Sequence, residues 1–301
     1  MKAYPAKLLL FGEHTVNAGS QALAIPLPMF SGRWEYLPGL GKAALAKRQQ
    51  QLPAFAAYLH RLQEKGSLIC PVDVAAFGEA LHHGLVFTSN IPTGYGAGSS
   101  GALVAAVAGE WSKGGMGFSP HNLLELRDGL AQMESFFHGT SSGTDPLICL
   151  VQKPLLLGGL AGARAVDLPD KKPVLFLLDT GIERQATPLI QYFLEQMKST
   201  SFAGLCKSEL LPAVDSAIAA FLHGDDAGLF GAFHRIGAFQ FQYLPGLIPP
   251  SFLRMWQEGL EGGLFKLKVC GAGGGGFVLG ITGDFEKLQA EHPGYKWLGL
   301  W

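Results

Sequence analysis

The stretch SNIPTGYGAGSSGALVAAVAGEW, Ser89–Trp111, holds five glycines and three serines ahead of a run of small apolar residues, with no lysine before Lys113. Backbone stripped of side chains can curl until several N–H groups point at one centre, and a helix starting near Ser99 would aim its positive end at the same place. Ser99 and Ser100 add hydroxyls able to cap that helix or to bond a phosphate or its metal. The loop Gly94, Tyr95, Gly96, Ala97, Gly98, Ser99 and Ser100 therefore reads as an anion cradle, and a phosphate chain is the anion that fits it best. The competing reading is a tight strand-to-helix turn with a serine N-cap.

Familiar phosphate loops do not describe it. A Walker A loop needs a lysine that is absent here. Gly96, Gly98 and Gly101 satisfy G-x-G-x-x-G, but a dinucleotide fold places that pattern at its first strand, with an acid about 20 residues on. Gly271, Gly273 and Gly276 repeat the pattern near the C-terminus and, with Val278, even fit a protein-kinase loop, yet no H-R-D or D-F-G follows. The pattern alone carries little.

Phosphoryl transfer also needs a metal, a cation near the moving group and a residue that orients the attacking hydroxyl. MESFFHGTSSGTDP supplies two acids, Glu134 and Asp145, eleven residues apart across a Gly- and Ser-rich turn. Glu134 falls near a helix C-terminus, where a carboxylate opposes the helix dipole, a misplacement that a bound cation would explain. Asp145 has a second reading as an N-cap, because Asp-Pro is also how helices begin.

The elements that must position these residues mix strands and helices in both halves, which predicts an α+β protein of two domains. AKLLLF (6–11) reads as a buried strand, followed by a turn and a second strand in QALAIPL, with SGRWEYLP a weaker strand. KAALAKRQQQLPAFAAYLHRLQEKG reads as helical with a break at Pro53. SSGALVAAVAGEW reads as a buried helix. SPHNLLELRDGLAQMESFFHG carries Leu123, Leu126, Leu130, Met133 and Phe137 on one stripe, with a Ser-Pro start at Ser119–Pro120 and a glycine past its end. DPLICLVQKPLLLGG and ARAVDLP suggest strands. After PDKKP a new strand, VLFLLDTG, sets a boundary between domains 1–171 and 172–301. The second domain continues with helices at 187–197, 210–222 and 228–241, the FKLKVCGAGGGGFVLGITG segment and a final helix.

Composition excludes other classes. Hydrophobic residues make up 48% and charged residues 16% of the 301, a globular balance. A net charge of −1 offers no basic stripe for nucleic acid or an acidic membrane. Cys70, Cys149, Cys206 and Cys270 form no C-x-x-C pair, so reduced, buried thiols are expected. The N-terminal apolar run is too short for a signal-peptide core and no run approaches a bilayer span, so a soluble, cytoplasmic protein is expected. FQFQYLPGLIPPSFL reads either as core or as a surface joining a homodimer.

Taken together, the motifs resemble the GHMP small-molecule kinases, most closely the mevalonate kinase branch. KLLLFGEHTVNAGSQALAIP is similar to the family's first motif, IPTGYGAGSSGA to its phosphate loop, ESFFHGTSSGTD to its metal and catalytic segment, and KVCGAGGGGFVLG to its third glycine motif. Their order and spacing, from Lys7 to Gly280, make the set specific. The resemblance implies a ribosomal protein S5 domain 2-like N-terminal domain, a ferredoxin-like C-terminal domain and a site in the cleft between them. It implies that Gly94–Ser100 wrap the triphosphate of ATP, that Ser100 and Glu134 hold Mg²⁺, and that Asp145 takes or orients the proton of the acceptor hydroxyl. Lys7 would sit beside Asp145, keeping it ionised and offsetting charge on the transferring group. Glu13 and His14 would lie near the acceptor, and Gly271, Ala272 and Gly273 would close the site.

Val16 after GEHT, where a galactokinase would want Asp, and QALAIP favour the mevalonate branch, so mevalonate is the expected acceptor, with a sugar, homoserine or phosphomevalonate as alternatives. A metabolite-binding protein without catalysis is the reading from another class. Departures from the family pattern are Ala97 for Leu, Gly101 for Ala, Ser141 for Pro and Ala18 for Tyr. The first three leave phosphate chemistry intact, and Ala18 bears on acceptor identity.

Overall fold

Apolar run and glycine punctuation decide where the chain bends. A computed structural model of the chain describes residues 2–112, 122–158 and 162–301. Two compact units emerge: Met1–Lys7, Ile25–Pro92 and Ala97–Lys153 make the first, and Leu8–Ala24, Thr93–Gly96 and Pro154–Trp301 the second. The content is α+β throughout, as expected.

Strand β1 (Ala3–Phe11) extends the expected 6–11 strand toward the N-terminus and is buried along most of its length. The two strand segments after the first turn merge into one 15-residue strand, β2 (Ala22–Tyr36). Helix α1 (Lys42–Gln49) stops at Gln50, whose φ is 49°, and α2 (Leu52–Glu64) restarts with Pro53 in its first turn. The proline thus sits where its missing N–H costs nothing. Helix α3 (Val74–His82), capped by the Asp73 carboxylate on the Ala76 amide at 3.1 Å, escapes the sequence reading. Strand β3 (Leu85–Ser89) pairs antiparallel with β2, Gly32 opposite Ser89 and Tyr36 opposite Leu85. Helix α4 (Ser99–Trp111) buries Ala102 and Val104–Ala108, as its small residues require. Helix α5 (Leu123–His138) buries Leu123, Leu126, Leu130 and Met133 and ends at Gly139 with φ 75°; its expected Ser119–Pro120 start lies outside the described residues. Trp34 anchors the core of this unit, edge-on to Phe77 and Trp111 at 5.9 and 5.1 Å.

One strand expectation is corrected. Asp145 to Leu150 belongs to helix α6 (Thr144–Val151), and extended structure starts only at β4 (Leu155–Leu157). Gly143, at φ 70°, turns the chain into the helix, and Leu147, Ile148 and Cys149 are buried helical residues. A short apolar run fits a buried strand and a buried helix equally well.

In the second unit β4 pairs with Ala22–Ala24 of β2 and with β5 (Ala163–Ala165), both antiparallel. A second sheet has the order β7-β8-β6-β9, built from β6 (Leu175–Asp179), β7 (Phe265–Val269), β8 (Phe277–Thr282) and β9 (Lys296–Gly299). Helices α7 (Ala186–Gln196), α8 (Thr200–Leu205), α9 (Leu211–His223), α10 (Asp226–Tyr243), α11 (Leu253–Glu261) and α12 (Phe285–Glu291) complete it. Phe11 packs edge-on against Phe221 and Phe233 at 6.3 and 5.6 Å. Leu244, Leu247, Ile248 and Phe252 of the FQFQYLPGLIPPSFL stretch are buried in this unit. The four cysteines are buried and none is joined in a disulfide. Among the described residues no helix is long and apolar enough to cross a membrane.

Candidate active site

The first unit gathers Lys7, Ser100, Glu134 and Asp145. Lys7 lies inside β1, not at a solvated end; its amide donates to the Ala97 carbonyl at 2.9 Å and the residue is 8% exposed. Gly98 makes that possible: a Cβ there would stand 2.8 Å from Lys7 Cγ, and its φ of 80° is one a side chain resists. Lys7 Nζ meets Asp145 Oδ2 at 3.0 Å. Asp145 is not the helix cap; Gly143 holds that position, with Asp145 inside the first turn of α6. Helices α4 and α6 touch at a glycine, since a Cβ on Gly101 would lie 2.9 Å from the backbone of Asp145 and Pro146.

Ser100 donates to Glu134 Oε1 at 3.0 Å and lies 2.9 Å from His138 Nε2. The other Glu134 oxygen accepts from Ser141, whose own oxygen accepts from the Gly143 amide at 3.0 Å. Burial, and then the nearby charge of Asp145, push the Glu134 carboxyl up to about 7, against the pull of both hydroxyls. Helix α4 starts with Gly98 as its N-cap and no side-chain cap, so the serine-capped turn expected as the alternative is not what forms.

The second unit gathers the rest of the expected residues. Gly94, Tyr95 and Gly96 lie with it: the Arg184 amide donates to Gly94 O at 3.0 Å, and the Tyr95 hydroxyl donates to Asp179 at 2.9 Å. The Arg184 guanidinium reaches the carbonyls of Tyr95 and Cys270, each at 3.5 Å. Gly271 and Gly273, at φ 59° and 80°, form the β7–β8 turn, and a Cβ on Gly273 would strike the Leu247 carbonyl at 2.7 Å. The Glu13 carboxylate forms an ion pair with Lys268, which is fully buried on β7. His14 hydrogen-bonds the Ala272 backbone and stacks on Phe193 at 4.8 Å. Burial holds its pKa down at about 4, so the imidazole is neutral at ordinary pH.

Sequence reading missed Lys268, Arg184, Asp179 and His138, and treated Ser141 only as a departure. Lys268 had a visible signal, one of two lysines set among the apolar residues of FKLKV, three residues before Gly271. Alternation along FKLKV places both lysines outward, whereas all five residues are buried. Its neighbour Lys266 is spent on α11, donating to Gly259 O at 2.7 Å and Gly262 O at 2.6 Å.

Residues 55–153 match the family model described as GHMP kinases N terminal domain. A mevalonate kinase of Thermococcus onnurineus (strain NA1) is 27% identical over 163 residues, 49% of this chain and 48% of that one. The chain thus spans about half the length of this relative. A crystal structure of L. major mevalonate kinase with R-mevalonate superposes with a TM-score of 0.63 at 18% identity, covering 96% of this chain and 88% of that one. Streptococcus pneumoniae phosphomevalonate kinase with phosphomevalonate and AMPPNP gives 0.66 at 14% identity, covering 99% and 100%. The fold is that of the GHMP kinases.

Proposed function

We propose that this GHMP kinase-fold protein is a phosphotransferase that moves the γ-phosphoryl group of ATP to a hydroxyl of a small molecule, and that the small molecule is mevalonate. The observation that carries the reading is the grouping of Lys7, Ser100, Glu134 and Asp145 around the start of α4, with Lys7 and Asp145 paired at 3.0 Å. A stable fold has no need of a second, buried carboxylate, Glu134, beside an already paired Lys7 and Asp145; a site that handles phosphate charge does.

In this reading the backbone amides of Gly94–Ser100 cradle the triphosphate, helped by the uncapped start of α4. Asp145 accepts the proton of the acceptor hydroxyl as its oxygen bonds the γ-phosphorus. The bond to the β–γ bridging oxygen breaks, and ADP leaves. Lys7 orients the Asp145 carboxylate and offsets charge on the moving group. The donor set fits Mg²⁺: Ser100 Oγ and the Glu134 carboxylate are hard oxygens 3.0 Å apart, a partial set of the kind Mg²⁺ completes with water and phosphate oxygens. When bound, that ion supplies neutralisation of phosphate charge. Among the described residues no group of three or more His, Cys, Asp or Glu forms a closed cage.

Glu13, His14 and the Gly271–Ala272–Gly273 turn take the acceptor in this reading, and the division at 171/172 separates a nucleotide-holding domain from one that contributes this turn. The acceptor rests on the Val16 and QALAIP features, and Ala18 favours testing phosphomevalonate, homoserine and sugars alongside mevalonate. An ADP-release assay over that panel decides: turnover with mevalonate is expected. Turnover only with another member reassigns the acceptor, and ATP binding without any turnover leaves the metabolite-binding reading.

A further inference from the structure

Tyr95 is the one large side chain between Gly94 and Ser100. It is flanked by Gly94 and Gly96, whose φ values of 75° and 68° belong to backbone with much freedom to lose on ordering. Its side chain is engaged by protein. The hydroxyl donates to Asp179 Oδ1 at 2.9 Å, and the ring stands edge-on to Phe277 at 5.0 Å. Asp179 is itself well held at the end of β6: it accepts from the Gly181 amide at 2.9 Å and from Lys296 Nζ at 2.7 Å, its register partner on β9. The main chain of Tyr95 is seated as well, since a Cβ on Gly276 would lie 2.8 Å from Tyr95 Cα. A glycine loop with a sheet-bound bolt in its middle differs physically from a free one, because the ordering cost falls on folding and not on ligand binding.

We infer that Tyr95 is a positioning residue whose hydroxyl, bonded to Asp179, holds Gly94–Gly96 in its nucleotide-binding shape before nucleotide arrives. The inference rests on the proposal that this loop takes the phosphates of ATP. Tyr95→Phe deletes one hydroxyl and keeps the ring against Phe277, so the fold stays intact. Calorimetric titration of ATP and ADP into wild type, Tyr95→Phe, Asp179→Ala and Asp179→Asn, with hydrogen exchange across 93–97 in nucleotide-free protein, tests it. Tyr95→Phe and Asp179→Ala are each expected to weaken nucleotide binding about fivefold and to speed exchange at 93–97. The acceptor KM and the melting temperature of Tyr95→Phe should stay at wild-type values. Asp179→Asn keeps an oxygen for the tyrosine and should recover most of the affinity, and the Tyr95→Phe, Asp179→Ala pair should be no worse than either alone. Tight wild-type binding matched by Tyr95→Phe, with unchanged exchange, overturns the inference alone. Affinity lost only in step with melting temperature assigns the bond to stability and also overturns it. A wild type that binds no nucleotide brings down the proposed function, and this inference with it.

Discussion

His14 gives the sharpest numerical test of the second unit. The ring is buried, stacked on Phe193 at 4.8 Å, and held at a pKa of about 4, first by desolvation and then by the charges of Arg184 and Lys268, against a favourable bond to the Ala272 backbone. The folded value lies below the unfolded one near 6.5, so the stabilisation is complete above pH 6.5 and is withdrawn as pH falls through 4. Over the window from pH 7.5 to 4.5 this one group should remove about 2.5 kcal/mol, by linkage with those two pKa values. The perturbation is His14→Gln, which keeps a polar side chain that cannot charge in this range. The assay is urea unfolding followed by the fluorescence of the second unit's Trp256, Trp297 and Trp301 at both pH values. Other groups titrate in the same window, so the quantity that matters is the wild-type pH slope minus the variant's. A difference within about 0.5 kcal/mol of zero would show that the imidazole is hydrated or paired with an acid in the folded protein, and the neutral His14 assigned to the acceptor side would have to be abandoned.

Asp145→Asn should leave the Kd for ATP nearly unchanged and lower kcat by at least about 100-fold; unimpaired turnover removes Asp145 from the chemistry. Gly101→Ala should force α4 and α6 apart, because the new methyl meets the Asp145 and Pro146 backbone at 2.9 Å. A stability loss of about 1–3 kcal/mol by urea unfolding, with a lower kcat, is expected, and wild-type values for both would refute the contact. Lys268→Met should cost about 3 kcal/mol or more by removing the buried cation that Glu13 pairs with, whereas the Glu13→Leu, Lys268→Met pair should recover most of it. Equal losses in the single and double variants would count against a sequestered ion pair. Glu134→Gln should raise the half-saturating Mg²⁺ concentration at least about tenfold while making the ligand-free protein more stable at pH 8. Unchanged Mg²⁺ titration rejects the ligand role.

The parts of the fold legible in the sequence were those whose pattern has one physical solution. The stripe from Leu123 to Met133 suits one face of a helix, and it is the buried face of α5. The small residues of 99–111 suit only close packing on all sides, and α4 delivers it. Failures came where two solutions share a pattern. Leu147–Cys149 suits strand or helix, and the outcome depends on Gly143 reaching φ 70°. QALAIPL and SGRWEYLP read as two strands, yet one strand runs from Ala22 to Tyr36, and at Gly32 the Phe87 ring on β3 fills the space over the bare Cα. For the candidate site, Lys7 was supplied by the family resemblance, and Ser100, Glu134 and Asp145 were nominated by residue type and spacing alone. Partners brought in from far along the chain were not: Lys268 and Glu13 stand 255 residues apart, and nothing local joins them. Long-range pairing of this kind is a property of the sheet register, which single residues do not announce.

The two effects expected of Glu134→Gln run in opposite directions, and that opposition is the strongest physical argument for a functional site. Lys7 pairs with Asp145, and Glu134, at 4% exposure, receives its hydrogen bonds from the hydroxyls of Ser100 and Ser141. Two neutral donors do not offset the loss of water around a carboxylate, so its pKa climbs to about 7. A raised carboxyl contributes its full stability below pH 4.5 and loses it as pH rises through 7, so ionising it in place weakens the fold by up to about 3 kcal/mol. A carboxylate kept only for stability would have been paired with a cation or replaced by an amide. Ser141, where the GHMP kinase motif has proline, points the same way, because its hydroxyl favours the ionised form that burial opposes. The chain spends part of its stability to hold a negative charge beside the start of α4, and under the proposed function the group that would repay such an arrangement is a cation travelling with phosphate.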